Sequence, residues 1–286
     1  MSEEERVQVF LTDEELSRTL PQNHEDRMKI TFQEYVNALA IKAQVESTPD
    51  LDNLSDWWYV QLAIVCKDDI ENALHRCYGL QSFREEYKVL DSYEDGVRNL
   101  AKLFEMFPRQ FLMFDFSDKD GIYVFVHDLV KFDPKIFTSH QMAEDWTRGW
   151  MYIHYLMHPD IESIRKGIIV LIECEGLTLQ RDAMKHSNRF FEEFLGVFPF
   201  FGEARQFHTG FFATIFFSFL KKIVPKEVSS QINVGYKFDG HMGDAFLVPT
   251  VEEANERMLT KLKAALKQRY EFEKSFSLNN HCIVNN

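Results

Sequence analysis

His154 and His158 stand four residues apart in a segment with helical spacing, an arrangement that can bind a metal ion. A zinc-protease motif would place a glutamate directly after the first histidine, and the chain has Tyr155 there. A metal site also needs at least three protein ligands, and no third ligand accompanies this pair in the sequence. We therefore interpret the two as ordinary helix histidines and expect no bound metal.

Residues 116–121 contain two aspartates and resemble part of a calcium-binding loop. Such a loop begins with an acidic ligand, but this chain has Phe116 at that position. The loop also has a glutamate at its twelfth position, and this chain has His127 there. We therefore interpret the run as a turn between strands. The sequence also lacks glycine-rich nucleotide motifs and G-x-S-x-G, so we expect no catalytic residue, no enzyme activity and no cofactor.

The segment 211–223 is the most apolar run of the chain, with five phenylalanines and no acidic residue. A transmembrane helix needs about 20 residues, so this segment is too short to span a bilayer. It is either a core helix or a lid over an apolar cavity that can meet a membrane surface. Lys221, Lys222 and Lys226 follow the apolar run, either as a solvated helix end or as the basic collar of an interfacial helix.

The composition of the 286 residues indicates a globular protein with an apolar interior or pocket. Phenylalanine is overused, at 27 residues against four tryptophans and ten tyrosines, and its side chain has no hydrogen-bonding group. The net charge of −13 argues against nucleic-acid binding, so contact with an anionic membrane needs a local basic patch.

The four cysteines lie far apart without a C-x-x-C pair, which is typical of a reduced cytosolic protein. The acidic N-terminus contains no apolar signal region. We therefore expect a cytoplasmic protein that associates with membranes peripherally.

Secondary-structure patterns divide the chain. Helical spacing dominates the first hundred residues, where one helix carries an apolar stripe: Met28, Phe32, Tyr35, Val36 and Leu39. Strand patterns then alternate with helices, which predicts an α/β layer with crossover connections. We predict a helical N-terminal subdomain at 1–107, an α/β domain at 108–249, an amphipathic helix at 250–275 and a disordered tail at 276–286.

Six segments, in the correct order, are similar to motifs of the CRAL-TRIO lipid-binding family. In residues 120–137 an Asp-Gly pair, an apolar strand and K-F-D-P follow one another as in the family. Residues 167–178 resemble its signature strand, which ends in D-x-E-G-x-S/T, and residues 208–224 align without a gap to its gate segment. The remaining similar segments are 69–73, 198–199 and 231–235.

This resemblance covers residues 55–245 and implies the CRAL-TRIO fold. In that fold a mixed, mostly parallel sheet floors a cavity for one lipid, a gate helix (here 211–223) closes it, and an all-helical subdomain precedes it. Ligand contacts are then implied for Phe125, Leu171, Thr178, His208, Phe212, Ile215, Phe216 and Phe219. Membrane contact is expected from Lys221, Lys222, Lys226 and Lys237.

The chain departs from the family pattern at informative positions. His208 and Gly210 replace the asparagine and proline of the N-x-P motif, and the late L-P-x-E-Y-G-G motif is missing. Phe200 and Gln231 stand where the phosphatidylinositol carriers of the family have a glutamate and a lysine. The chain therefore looks closer to the tocopherol and retinaldehyde carriers.

We accordingly expect a monomer that binds one hydrophobic lipid and transfers or presents it between membranes without chemistry. The expected ligand is a tocopherol-, retinoid- or sterol-like lipophile or a neutral glycerolipid, and the expected surface is an anionic membrane, contacted transiently. The alternative is a protein-interaction scaffold of the same fold, in which bulky phenylalanines fill the cavity.

Overall fold

The structure, a computed structural model, describes residues 27–106, 111–117, 123–128, 139–174, 203–207, 209–223, 229, 232–236, 251–278 and 283–284. The sequence also has the pattern of a helix capping box at 12–15 and helical spacing at 182–197, and both segments lie outside the described residues. Within these ranges a group of helices precedes a sheet, and a long helix follows it.

The N-terminal part of the described chain is helical. A two-residue strand, β1 (Ile30–Thr31), leads into α1 (Phe32–Glu46) through a capping box. In this box the Glu34 amide donates to the Thr31 hydroxyl over 3.2 Å, and the Thr31 amide donates to the Glu34 carboxylate over 2.7 Å. The helices that follow are α2 (Asp56–Cys66), α3 (Ile70–Tyr87) and α4 (Tyr93–Met106).

The sheet is mixed, and in the described residues helices lie between the second and third strands and between the last two strands of the sheet. Its elements in chain order are β2 (Phe111–Ser117), β3 (Tyr123–Asp128), α5 (His140–Met157), α6 (Ile161–Lys166), β4 (Ile169–Glu173), β5 (Glu203–Phe207), α7 (Phe211–Ile223) and β6 (Ile232–Tyr236). The described strands lie in the order β2-β3-β4-β5-β6; β2 pairs antiparallel with β3, and the later pairs are parallel. The structure is therefore of the α/β class that the sequence predicts.

A long helix, α8 (Val251–Ser275), follows the sheet, and a short strand, β7 (Ile283–Val284), pairs parallel with β1. The sequence predicts a disordered tail from residue 276, and here the structure differs. Phe276 and Leu278 are buried, and the Leu278 amide donates to the Asp56 carboxylate over 3.0 Å. The tail is held because its apolar side chains complete the core around Trp57, whose ring meets the Phe276 ring edge-on at 5.5 Å.

The buried apolar side chains of the described residues form two clusters. The larger cluster joins α4, α5 and α8 to the sheet, and two glycines allow close helix contacts. A Cβ atom on Gly149 of α5 would overlap Leu103 of α4, and one on Gly96 of α4 would overlap Leu266 of α8. The smaller cluster joins α1, α2, α3, α6 and the C-terminal residues 276 and 278.

The buried face of helix α1 is not the face that its apolar stripe predicts. Ala38, Ile41 and Val45 are buried, whereas Phe32, Val36 and Leu39 are exposed. The helix carries apolar residues on two sides, and the side with the small and branched residues packs against α2. The exposed side chains Phe32, Val36 and Leu39 are called the α1 ridge below.

A buried ion pair fixes the first described residues to the sheet. The Arg27 guanidinium donates to Asp160 through Nε over 2.6 Å and through Nη2 over 3.2 Å. The Tyr123 hydroxyl at the start of β3 donates to the same carboxylate over 2.8 Å. Because all the partners are at least partly shielded from water, the contact connects the segment before β1 to β3 and α6.

Candidate functional site

The sheet presents two chemically different faces, which the strand register assigns. Phe125 pairs with Val170, and Leu171 pairs with Val126, so Phe125 and Leu171 are one register step apart. Because successive side chains in a strand point to opposite faces, the two lie on opposite sides of the sheet. Phe125 and Leu171, both implied as ligand contacts, therefore cannot line one cavity over a single face.

Phe125 lies on the face that α5 covers, which we call the α5 face. Val170 and Ile172 share this face and belong, with Phe125, to the larger apolar cluster or pack against it. His127 also lies there, and its ring meets the Trp150 ring of α5 edge-on at 4.8 Å. The opposite face carries Leu171 and the buried charged residues Glu173 and Arg205.

The gate segment forms the helix α7, which contacts β6, and its inward residue is Phe217. This side chain is 5% exposed and belongs to the same cluster as Phe125. Three other large apolar side chains of α7 point outward: Phe211 is 75% exposed, Ile215 47% and Phe219 42%. They are spaced four residues apart and therefore form a continuous stripe, which we call the α7 ridge.

The polar residues beside the α7 ridge suit contact with an apolar medium. Thr214 is exposed, but its hydroxyl donates to the Gly210 carbonyl over 3.0 Å, so it is satisfied within the helix. At the C-terminal end the ridge is followed by Lys221, which is half-buried, and Lys222, which is exposed. The helix therefore has an apolar stripe with positive charge at one end, the composition of helices that lie in a membrane interface.

Three histidines lie close together between α5 and the sheet. The rings of Trp150 and His154 stack at 4.9 Å, and His158 Nδ1 lies 3.0 Å from the Ser163 carbonyl oxygen. Burial lowers the pKa of His127 to about 3, and burial together with the neighbouring histidines lowers the pKa of His154 well below 6.5. His127 and His154 are therefore uncharged at neutral pH.

No group of three or more histidine, cysteine, aspartate or glutamate side chains in the described part of the chain is arranged to hold a metal ion. His154 lies on α5, where it is buried and stacks on Trp150, and His158, directly after the helix, is buried beside the Ser163 carbonyl.

Several residues implied by the resemblance lie where their side chains are not described. Phe212 and Phe216 belong to α7, but only their helical backbone is described. Thr178, His208, Lys226 and Lys237 lie outside the described residues. Among the described set, Phe125 and Leu171 are buried, whereas Ile215 and Phe219 lie on the exposed α7 ridge.

Gln206, a polar residue of β5, is buried on the α5 face, which the sequence does not predict. Its strand was recognisable from the sequence, but its burial was not. The signal was weak because Arg205 and Gln206 make the segment look like a half-exposed strand.

No family model matches this chain, and no curated protein is similar enough to it to count as a match. The similarity to the CRAL-TRIO family therefore depends on the sequence motifs described above. Across the described residues, none of the helices combines the length and the hydropathy that crossing a membrane requires.

Proposed function

We propose that this protein is a lipid carrier with the CRAL-TRIO fold. It binds one hydrophobic molecule between the sheet and α7, and it transfers or presents that molecule at membranes without covalent chemistry. The favoured ligands are tocopherol-, retinoid- or sterol-like lipophiles and neutral glycerolipids. The exposed α7 ridge is the observation that carries this proposal.

The α7 ridge supports membrane contact because three large apolar side chains in a row are costly to expose to water. Single exposed apolar residues are ordinary, whereas a contiguous apolar patch marks an interaction surface. The lysines at the end of α7 favour an anionic lipid surface for this patch, although the whole chain is acidic. Helix α7 contacts β6, and its Phe217 belongs to the buried cluster that includes Phe125 and Val170, so movement of α7 at the membrane would open that cluster.

The topology also supports the proposal. An antiparallel pair at the edge is followed by parallel strands, and α7 connects the last two of them. A lipid moving from a bilayer to a pocket on this sheet stays in apolar surroundings, so the barrier to transfer is its exposure to water. A lid that opens against the membrane lowers that barrier.

Native mass spectrometry of the purified protein, with extraction and identification of any lipid, tests the proposal. We expect one lipid per chain, exchangeable with lipid in vesicles. A protein that is purified empty and takes up no tocopherol, retinoid, sterol or glycerolipid from vesicles would contradict it.

The α1 ridge favours the second candidate, a protein-interaction scaffold. Phe32, Val36 and Leu39 form an exposed apolar stripe on a helix of the smaller cluster, separate in sequence from the proposed lid. In this case the cavity would be filled by side chains and the α1 ridge would bind a protein. An empty protein whose vesicle binding does not depend on α7 would favour this candidate.

A further inference from the structure

Gln206 has a buried oxygen that no group in the described residues satisfies. The residue is 1% exposed, and within the described structure its Oε1 atom accepts no hydrogen bond. Buried polar atoms in folded proteins are nearly always hydrogen-bonded, so an unpaired one needs an explanation. A ligand that supplies the missing donor is one such explanation.

Gln206 lies on the face of the sheet that belongs to the larger apolar cluster. The strand register places it in one row with His127 and Ile172, on the same face as Phe125 and Val170. This is the α5 face, whose apolar residues share one buried cluster with Phe217 of α7. Gln206 is also next to the last residue of β5, and ligands of parallel sheets bind at the carboxyl ends of the strands.

The backbone next to Gln206 is irregular in a way that favours a site. Gln206 pairs with Val234 of β6, but Phe207 pairs with Tyr236, so Gly235 is left between the two pairs. Bulges of this kind redirect side chains and are frequent next to binding sites. Since Gly235 has no side chain, the bulge adds little bulk beside the amide.

We propose that Gln206 binds the hydroxyl group of the carried lipid. This rests on the proposed function and narrows it: the ligand is an alcohol or a phenol. Oε1 is an acceptor, so it needs a donor, which a hydroxyl provides and an ether, an ester or a hydrocarbon does not. The remaining surface of the ligand would contact the apolar side chains of the α5 face.

Matched ligand pairs test this proposal on the full-length protein. Cholesterol, retinol and α-tocopherol are compared with their methyl ethers by displacement of a fluorescent lipid. We expect the wild-type protein to bind at least one alcohol about tenfold more tightly than its ether, the order of one net buried hydrogen bond. Equal affinity within every pair that binds would overturn the proposal.

The variant Gln206→Met keeps the length of the side chain and removes its polar group. We expect its preference for the alcohol to disappear while the affinity for the ether is kept. The lipid-free variant should also melt at a higher temperature than the lipid-free wild type, because an unpaired buried amide has been removed. Gln44→Met, an exposed substitution on α1, is the control and should change neither property.

The outcomes separate this proposal from the carrier function. A wild-type protein that binds both members of a pair equally remains a carrier but lacks the hydroxyl contact. A variant that keeps the preference and melts at a lower temperature would show that the amide has a structural role, for example with a buried water. A wild-type protein that binds no probe would overturn both proposals.

Discussion

Phe217 and Phe219 stand two residues apart on α7 and face in opposite directions. The first is 5% exposed and belongs to the larger buried cluster, whereas the second is 42% exposed and belongs to the α7 ridge. One helix therefore combines a contact that holds it to the protein with a surface that can enter a membrane. The two functions can be separated by mutation.

Phe217→Ala should lower the free energy of unfolding by about 3–5 kcal/mol, because it leaves a cavity in the larger cluster. Phe219→Ala should change it by less than about 1 kcal/mol, because the ring is half in solvent. Phe219→Ala should instead weaken vesicle binding by about tenfold, since a partly buried phenylalanine in lipid is worth that much. Urea denaturation and vesicle sedimentation measure the two effects. Unchanged vesicle binding by Phe219→Ala would argue against insertion of the α7 ridge.

Part of this arrangement could be predicted from the sequence. Short apolar runs bounded by turn residues identified the strands β3 and β4, and the phenylalanine-rich run identified α7. The direction in which each side chain points was harder to predict from the sequence. On α1 two apolar stripes compete, and only packing against α2 decides that Ile41 is buried and Phe32 exposed.

The strand register could not be predicted from the sequence either. Nothing local reveals that Phe125 and Leu171 lie on opposite faces, because the offset between β3 and β4 is set by long-range pairing. For the same reason Gln206 could not be assigned to the α5 face before its partners on β4 and β6 were known. The order of the tail at Phe276 could not be predicted, because the contact of Phe276 with Trp57 links distant parts of the chain.

The basic end of α7 should make vesicle binding depend on charge. Lys221, Lys222 and Lys226 each contribute about 1 kcal/mol near an anionic surface, screened by salt within a Debye length. Binding should therefore increase with the fraction of anionic lipid, decrease with salt and fall strongly when the three lysines are changed to glutamate. The control is the triple change of Lys261, Lys263 and Lys267 on α8 to glutamate. Salt-insensitive binding, or an equal loss in the control, would remove Lys221, Lys222 and Lys226 from the mechanism.

The ligand class gives a third prediction. Phe200 and Gln231 stand where the phosphatidylinositol carriers have charged residues, so the inositol headgroup would lack those partners here. In competition with a fluorescent lipid, tocopherol, retinoid or sterol should displace the probe at concentrations at which phosphatidylinositol does not. The reverse order, with phosphatidylinositol displacing the probe where the others and phosphatidylcholine fail, would show that the prediction is wrong.

The buried histidines predict how stability depends on pH. The pKa of His127 is about 3 in the folded protein and near 6.5 in the unfolded chain, where the ring is in water. Below pH 6.5 the unfolded chain binds a proton that folded His127 does not, so stability decreases as the pH falls from 6.5 towards 3. This histidine should cost about 2 kcal/mol of stability between pH 7 and pH 5.

His127→Gln should reduce the loss measured by urea denaturation by that amount. His75→Gln, on the surface of α3, is the matched control and should keep the wild-type pH dependence. If His127→Gln also kept the wild-type pH dependence, His127 would have to take up a proton in the folded protein. Its burial on the α5 face argues against this.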